Sequence, residues 1–356
     1  MKEIPNTILD EFVNLSRRIG ERLDLVQAAG GNTSVKHKNL LAVKASGVQL
    51  SDMSSNYGYS IVDNNKVLEM LKSRDFRNLS FNSRELIIEK KMEAATVNKI
   101  RASIETFLHS LFYKFTVHTH PIVIMSVLCS KNSEEFCKEN FKDSIYVNYF
   151  TPGYDLAQGL VVQYENFIKK HEKIPKIVFL ENHGLIVSAD TSDEVLEVQD
   201  SVLGIFESSL NFDLSKYKYT NDISALYNKV FNREIITMLC EDTHINNYLL
   251  QDDFRSEPLF PDYQVYCGYR ILELQTLNEQ EFIKYFKKFE DYPKILIYKK
   301  YVFICGLNYK KCKESEDVLK AYILCQHSSL EKQYISESSL SLLSNMNSEK
   351  YRKNLK

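Results

Sequence analysis

Apolar and polar residues are arranged along this chain in patterns that predict both helices and strands. From Ile8 to Leu23 apolar residues recur near helical spacing, so the chain is predicted to open with an amphipathic helix. Short apolar runs around Ser34-Val35 and from Leu41 to Lys44 predict strands. The segment Thr191-Ser192-Asp193-Glu194 is a capping box, which predicts a helix through Leu210.

A second helix is predicted from Ser103 to Phe112, with Glu105 and His109 four residues apart on one face. It leads into an apolar strand that contains Val117-His118-Thr119-His120. Side chains at i and i+2 of a strand point to the same side, so His118 and His120 can present two imidazoles to one ion.

A third histidine, His183, follows the apolar run Ile177-Val178-Phe179-Leu180 and precedes Gly184. Three protein ligands leave one position open for substrate or water, which is the pattern of catalytic zinc sites. Taken alone, a His-x-His pair is about as often structural or superficial as metal-binding. The wider motif set therefore decides between the two interpretations.

Five motifs stand in one order between roughly Leu9 and Leu210. They are Gly30-Gly31-Asn32-Thr33-Ser34, Lys44-Ala45-Ser46-Gly47, Ser103-Ile104-Glu105, His118-Thr119-His120 and Glu181-Asn182-His183-Gly184. Together they resemble the class II aldolase/adducin family. Segments such as Tyr149-Phe150-Thr151-Pro152-Gly153-Tyr154 are similar to the aldolase part of bacterial aldolase/short-chain dehydrogenase fusions. No Gly-x-Gly occurs, so no dinucleotide-binding fingerprint is expected.

The resemblance implies a three-layer α/β/α sandwich around a mostly antiparallel sheet, with a C-terminal α/β extension. It implies that His118, His120 and His183 bind Zn²⁺ or another divalent cation. Glu105 matches the acid/base glutamate of the family's aldolases, the alternative being a glutamate on a helix surface. His109 is then a supporting or structural residue rather than a fourth ligand.

The same resemblance implies an anion-binding cradle formed by the glycine loop and two hydroxyl-bearing segments. Its predicted members are Gly31, Asn32, Ser46, Gly47 and Ser103, preceded in the loop by Gly30. Ile104 replaces a serine that the phosphate aldolases tend to carry. Lys44 would restore positive charge if its side chain reached the pocket, although strand lysines usually face solvent. A phosphate or a carboxylate is expected there.

A proton-donating tyrosine is harder to assign, because the chain has 22 tyrosines. The family's aldolases take this residue from a neighbouring subunit. Tyr146, Tyr149 and Tyr154 lie in the relevant segment, and Tyr149 is the predicted donor. The family's site at a subunit interface also implies a homo-oligomer, either a tetramer or a dimer.

The predicted function is zinc-dependent cleavage or formation of a C–C bond in a short sugar-phosphate or sugar-acid derivative, through a metal-stabilised enediolate. The fold also hosts epimerases, dehydratases, decarboxylases and non-catalytic adducin modules. The epimerases tend to carry aspartate at the position of Glu105, and adducin modules lose the histidines. Glu105 therefore favours an aldolase or a dehydratase, and the three histidines favour an enzyme over a binding module.

Composition narrows the class of partner. A net charge of −2 over 356 residues, without clustered basic residues, argues against nucleic acid or an anionic membrane as the main partner. The seven cysteines form no Cys-x-x-Cys pair, which indicates reduced thiols and a cytoplasmic protein. The N-terminus lacks the apolar core of a signal peptide, and no apolar run has the length of a membrane span.

The chain is predicted to form a catalytic domain over 1–215 and a C-terminal α/β extension over 216–356. Pro175–Leu180 recurs as Pro293–Tyr298 at an offset of 293 − 175 = 118 residues, which aligns His183 with Tyr301. The extension is then either a degenerate repeat of the sheet unit or a generic strand-turn-helix segment.

Overall fold

A computed structural model describes residues 3–73, 76, 79–251 and 253–346 of the chain. The chain divides into two compact units, Met1–Leu214 and Ser215–Lys356. Each unit is described by itself.

The first unit is built on a seven-stranded sheet with the strand order β3-β2-β1-β4-β7-β6-β5. Its strands are β1 (Asn32–His37), β2 (Leu40–Lys44), β3 (Tyr59–Asp63), β4 (Phe115–Thr119), β5 (Ser144–Val147), β6 (Ile177–Leu180) and β7 (Gly184–Ala189). All neighbouring strands are antiparallel except β5 and β6, which are parallel.

Helices cover both faces of this sheet. They are α1 (Asn6–Gly20), α2 (Asn64–Lys72), α3 (Phe81–Ala95), α4 (Thr106–His109), α5 (Ile122–Leu128), α6 (Ser133–Asn140), α7 (Tyr154–His171) and α8 (Ser192–Leu210). One core lies between the sheet and α1, α5, α6 and α8, and the other lies under α2, α3, α4 and α7. The predicted three-layer α/β/α sandwich with a mostly antiparallel sheet is confirmed.

Two local predictions are also confirmed in the first unit. The opening helix is α1, which buries Leu9, Phe12 and Ile19 against the sheet. The capping box precedes α8, where the Thr191 side chain accepts a hydrogen bond from the backbone N–H of Glu194.

The second unit has a four-stranded sheet with the order β8-β11-β10-β9. Its strands are β8 (Ile236–Leu239), β9 (Leu272–Leu274), β10 (Ile295–Tyr298) and β11 (Tyr301–Gly306). Its helices are α9 (Ser215–Phe231), α10 (Thr243–Leu249), α11 (Pro261–Cys267), α12 (Glu279–Phe289), α13 (Tyr309–Gln326) and α14 (Glu337–Asn345). Residues 347–356 of the predicted extension lie outside the described residues.

All seven cysteines are free thiols, five of them buried. Among the residues that the structure describes, no helix combines the length and the apolar character that crossing a membrane requires.

Candidate metal centre

The three predicted ligands come from the central strand β4, from the residue that follows it and from the turn between β6 and β7. His118 is fully buried in β4 between β1 and β7. His120 lies just beyond the strand, where its backbone N–H donates to the Leu25 carbonyl at 2.9 Å. His183 precedes β7, and its backbone N–H donates to the Leu180 carbonyl at 3.1 Å. The backbone therefore holds all three rings at one end of the sheet.

Their Nε2 atoms converge. The His118 Nε2 lies 3.1 Å from the His120 Nε2 and 3.2 Å from the His183 Nε2. The His118 Nδ1 lies 3.0 Å from the Leu185 carbonyl, so Nδ1 carries the proton and Nε2 offers a lone pair. Tetrahedral coordination with Zn–N bonds near 2.0–2.1 Å separates nitrogen ligands by about 3.3 Å, so the donor set fits such an ion.

The protonation states also suit a metal. Burial and the neighbouring imidazoles of His118 and His183 lower the pKa of His120 to about 3. Burial is also the main cause that lowers the pKa of His183. Both rings are therefore neutral at pH 7, and neutral imidazole is the form that binds a metal ion.

Glu105 completes the cluster. Its Oε1 lies 3.2 Å from the His183 Nε2 and 3.5 Å from the His118 Nε2. The ligand atoms of Glu105, His118, His120 and His183 all lie within 4.8 Å of one another. Burial opposes ionisation of the carboxyl, but His118 and His183 outweigh it and hold the pKa of Glu105 well below its usual range. The carboxylate is therefore ionised at neutral pH, which is the form that binds a cation.

The helix predicted from Ser103 to Phe112 is wrong in its extent. Only α4, from Thr106 to His109, is helical, and Glu105 precedes it with φ −87° and ψ 2°. The Ser103 hydroxyl accepts the Glu105 N–H at 3.3 Å, and the Ser103 carbonyl accepts the Thr106 N–H at 3.1 Å. This local turn competes with the helix and leaves Ile104 exposed.

The glycine loop lies against the histidines. Gly31 has φ +72°, and a Cβ atom there would meet Val26 Cγ1 at 2.5 Å and the His118 carbonyl at 3.0 Å. Glycine is therefore required by both conformation and space. The next residue, Asn32, is fully buried, and neither its amide oxygen nor its amide nitrogen has a hydrogen-bond partner among the described residues.

Lys44 is buried, contrary to the expectation that a strand lysine faces solvent. Its ammonium donates to the carbonyls of Ala29, at 2.9 Å, and Val48, at 2.8 Å, and so joins the glycine loop to the loop after β2. Burial lowers the pKa of Lys44, and the Glu105 carboxylate acts in the opposite direction. The side chain therefore brings positive charge toward Glu105 rather than toward bulk water.

The other predicted anion-binding residues lie on adjoining segments. Ser46 and Gly47 form an exposed turn after β2, and Gly47 has φ +77°. The Ser46 N–H donates to the Arg101 carbonyl at 3.3 Å, two residues before Ser103. Hydrogen bonds thus link the glycine loop, the Ser46 turn and the Ser103 turn, although these segments do not line the cavity described next.

A cavity of about 600 Å³ opens beside two of the imidazoles. Its lining residues are Gln27, His120, Ile122, Met125, Tyr149, Pro152, Asn182 and His183. Tyr149, the predicted donor, is exposed and lies on this wall, and its backbone N–H donates to the Glu181 carboxylate at 2.8 Å. Tyr154 is instead buried beside Phe107, and Tyr146 bonds to Ser133.

The family model described as "Class II Aldolase and Adducin N-terminal domain" matches residues 10–202 of this sequence, which is more than half of the chain. The chain belongs to the class II aldolase and adducin family. The predicted family is thereby confirmed, and the matched residues include the four members of the metal cluster.

The chain is similar to the "Uncharacterized oxidoreductase YuxG" of Bacillus subtilis, with 26% identity over 223 residues. That match covers 59% of this chain but only 30% of the relative. Among solved structures, the N-terminal class II aldolase domain of a Thermoplasma acidophilum protein is 25% identical, covering 59% of this chain and 97% of that one, with a TM-score of 0.49. YgbL of Klebsiella pneumoniae, a putative aldolase/epimerase/decarboxylase, is 15% identical, with coverages of 59% and 91% and a TM-score of 0.42.

Two polar residues that line the cavity, Gln27 and Asn182, were not predicted as site residues from the sequence. Gln27 lines the cavity and donates to the Leu23 carbonyl at 2.7 Å. Asn182 lines it from the turn before His183, with φ +52°. An asparagine immediately before a ligand histidine is a turn signal that could have been found, because asparagine tolerates a left-handed conformation. No local pattern distinguishes Gln27.

Proposed function

We propose that this chain is a metal-dependent lyase that cleaves or forms a C–C bond in a short sugar-phosphate or sugar-acid derivative. One observation carries the proposal: three imidazole nitrogens and a half-buried carboxylate converge beside a cavity. Membership of the class II aldolase and adducin family supports it. Zn²⁺ is the expected ion, held by His118, His120 and His183.

A divalent cation at this point supplies Lewis-acid polarisation of substrate oxygens. Glu105 supplies the acid/base group, because its carboxylate is ionised and lies within 3.5 Å of two imidazoles. In the cleavage direction the proton leaves the substrate hydroxyl whose carbon becomes the aldehyde, the C–C bond breaks, and Glu105 delivers a proton to the carbon atom that the broken bond leaves behind. Tyr149 lies on the cavity wall with His120 and His183 and is the proposed group that accepts this hydroxyl proton in cleavage and donates it to the aldehyde oxygen in condensation.

The anionic group of the substrate is proposed to bind at the glycine loop. Asn32 has two buried amide atoms without partners among the described residues, and a ligand would satisfy them. Gly31 and Gly47 would allow their backbone N–H groups to approach the anion closely. Ser46 and Ser103 would add hydroxyl groups, and Lys44 would add positive charge. This arrangement is compatible with either a phosphate or a carboxylate.

The proposal extends to the state of the protein in the cell. A homo-oligomer, either a tetramer or a dimer, is proposed because the family builds its sites between subunits. The seven free thiols support a reducing compartment, and we propose the cytoplasm.

The experiment is a substrate screen of zinc-loaded protein against phosphorylated and unphosphorylated ketoses and sugar acids, with aldehyde release as the readout. Glu105→Gln should retain the metal and lower turnover by about two to four orders of magnitude, the range for loss of a general acid/base. Glu197→Gln, at an exposed position of α8, is the matched control and should behave as wild type. Unchanged turnover in Glu105→Gln would remove Glu105 from the mechanism.

Epimerase, dehydratase and decarboxylase activities on the same scaffold are separated by their products. Nuclear magnetic resonance of the same reactions identifies the products. An epimerase gives an inverted carbon centre, a dehydratase a product that has lost water, a decarboxylase CO₂, and a C–C lyase two shorter fragments. Metal binding without turnover of any substrate class would favour a binding module over an enzyme.

A further inference from the structure

The sheet of the second unit repeats one part of the sheet of the first unit. In the first unit the block β4-β7-β6-β5 has two antiparallel pairs followed by one parallel pair. In the second unit the sheet β8-β11-β10-β9 has the same sequence of two antiparallel pairs and one parallel pair.

The connections between these strands repeat as well. The order along the chain is β4-α5-α6-β5-α7-β6-β7-α8 in the first unit and β8-α10-α11-β9-α12-β10-β11-α13 in the second. Consecutive strands are neighbours in most sheets, yet β4 and β5 lie at opposite ends of their block, and so do β8 and β9. Two units that share this less common crossover are poorly explained by a generic strand-turn-helix segment.

The hydrogen-bond ladders give the residue register. In the first unit His118 pairs with Ile186, which pairs with Val178. In the second unit Leu239 pairs with Phe303, which pairs with Leu296. With Val178 aligned to Leu296 by the 118-residue offset, the ladders align His118 with Leu239.

Helix ends agree with this register. Pro121 and Asp242 stand immediately before α5 and α10, at the same offset of 242 − 121 = 121 residues that relates His118 to Leu239. Glu172 and Glu290, 118 residues apart, end α7 and α12 in a left-handed conformation. The caps therefore select the same alignment as the strands.

A buried side-chain pair is repeated at the same place. The Thr116 hydroxyl lies 3.1 Å from the Ser188 hydroxyl across β4 and β7. Its counterpart is the Thr237 hydroxyl, 3.6 Å from the Cys305 sulfur across β8 and β11. Both pairs are small, polar and buried between strands, although no metal or substrate role requires them.

The metal ligands have no counterparts in this alignment. His118 corresponds to Leu239, and His120 corresponds to Glu241, whose carboxylate bonds to Lys216 and Tyr217 at 2.8 Å. The turn before β7 has three residues, but the turn before β11 has only Lys299-Lys300. Tyr301 therefore matches Gly184, which corrects its alignment with His183, and His183 itself has no equivalent.

We propose that the second unit is a degenerate copy of the metal-bearing part of the first unit, in which both strand ligands were replaced and the turn ligand was deleted. The copy keeps the topology, the buried Thr237–Cys305 pair and the helix caps. Each chain then binds one ion, at the first unit alone. This inference does not depend on the lyase reaction.

The test restores the lost ligands in the full chain. Leu239→His and Glu241→His are combined with a histidine inserted between Lys300 and Tyr301, and bound Co²⁺ is measured by equilibrium dialysis and by tetrahedral absorption bands. Wild type should bind one ion per chain and the grafted chain two. A control that carries the two substitutions without the insertion should bind the second ion at least tenfold more weakly, because it lacks the third ligand.

A folded grafted chain that keeps the first ion and takes up no second ion would overturn the proposed register. If the grafted chain does not fold, a crystal structure of the unmodified chain decides. The ladder pairs Leu239–Phe303 and Phe303–Leu296 are expected, and a shift of either pair by one residue would refute the alignment.

Discussion

Gly184 separates His183 from β7, and replacement by alanine should disturb stability and metal binding together. A Cβ atom at this position would lie 2.3 Å from the Thr119 carbonyl oxygen, 2.9 Å from His120 Cδ2 and 3.1 Å from His118 Cε1. Non-bonded carbon atoms prefer separations of about 3.5–4.0 Å, so the overlap with the carbonyl is roughly 1 Å. That carbonyl belongs to the β4–β7 ladder and cannot rotate away.

Overpacking of this kind usually costs about 1–3 kcal/mol of unfolding free energy. Because relief requires β4 and β7 to move apart, the rings of His118 and His120 must shift by several tenths of an ångström. Metal–ligand distances tolerate only about 0.2 Å, so the dissociation constant should rise at least about tenfold. The assays are urea unfolding of the apo protein and competition with a chromogenic chelator.

Gly204→Ala is the matched control. Gly204 lies within α8 and has open space around its Cβ position. This substitution should stabilise the protein by about 0.5–1 kcal/mol and leave metal affinity unchanged. Wild-type stability and affinity in Gly184→Ala would refute the packing argument, because the clash involves a backbone atom.

Two further predictions concern buried charges. Burial lowers the pKa of Lys36 to about 7, whereas the unfolded chain keeps the ordinary value of 10.5. Between pH 7 and 10 the unfolded chain binds one proton that the folded chain lacks. The unfolding free energy of wild type should therefore rise with pH by up to about 1.4 kcal/mol per pH unit relative to that of Lys36→Met. The same pH dependence of the unfolding free energy in both proteins, measured by urea unfolding, would contradict this. Arg22 bonds to the buried Asp24 at 2.6 and 3.1 Å, and Arg22→Met should cost about 3–5 kcal/mol by leaving that carboxylate unpaired. Adding Asp24→Leu to Arg22→Met should recover much of the lost unfolding free energy. If the effects of the two substitutions on that free energy simply add in a double-mutant cycle, Arg22 and Asp24 are not coupled.

The predictions that succeeded depended on residues close together in the chain. The two-residue spacing of His118 and His120 puts both side chains on one side of an extended segment, whatever the rest of the chain does. The Thr191 cap is likewise local, since donor and acceptor are three residues apart. Such signals can be recognised from a few consecutive residues, without knowledge of the rest of the fold.

Contacts between distant segments could not be predicted from spacing. Glu105 and His183 are 78 residues apart, and only the family resemblance brought them together before the structure did. The Leu25 carbonyl that accepts the His120 N–H leaves no mark in the sequence, because any residue type offers the same carbonyl.

Lys44 and Ser103 show why local rules also failed. A lysine in a strand is expected to face solvent, but helices cover both faces of this sheet, and two backbone carbonyls satisfy the ammonium. At Ser103 the apolar spacing indicated a helix, but hydrogen bonds of the serine side chain and carbonyl stabilise a turn instead.

His118, His120 and His183 are expected to bind one divalent cation beside Glu105. Elemental analysis after zinc reloading and removal of excess metal tests it most directly, on wild type, on His118→Ala and on the exposed control His244→Ala. One ion per chain is expected in wild type and in His244→Ala, and His118→Ala should lose most of the bound ion. Wild type that holds no divalent ion after reloading, or His118→Ala that binds as well as wild type, would contradict it.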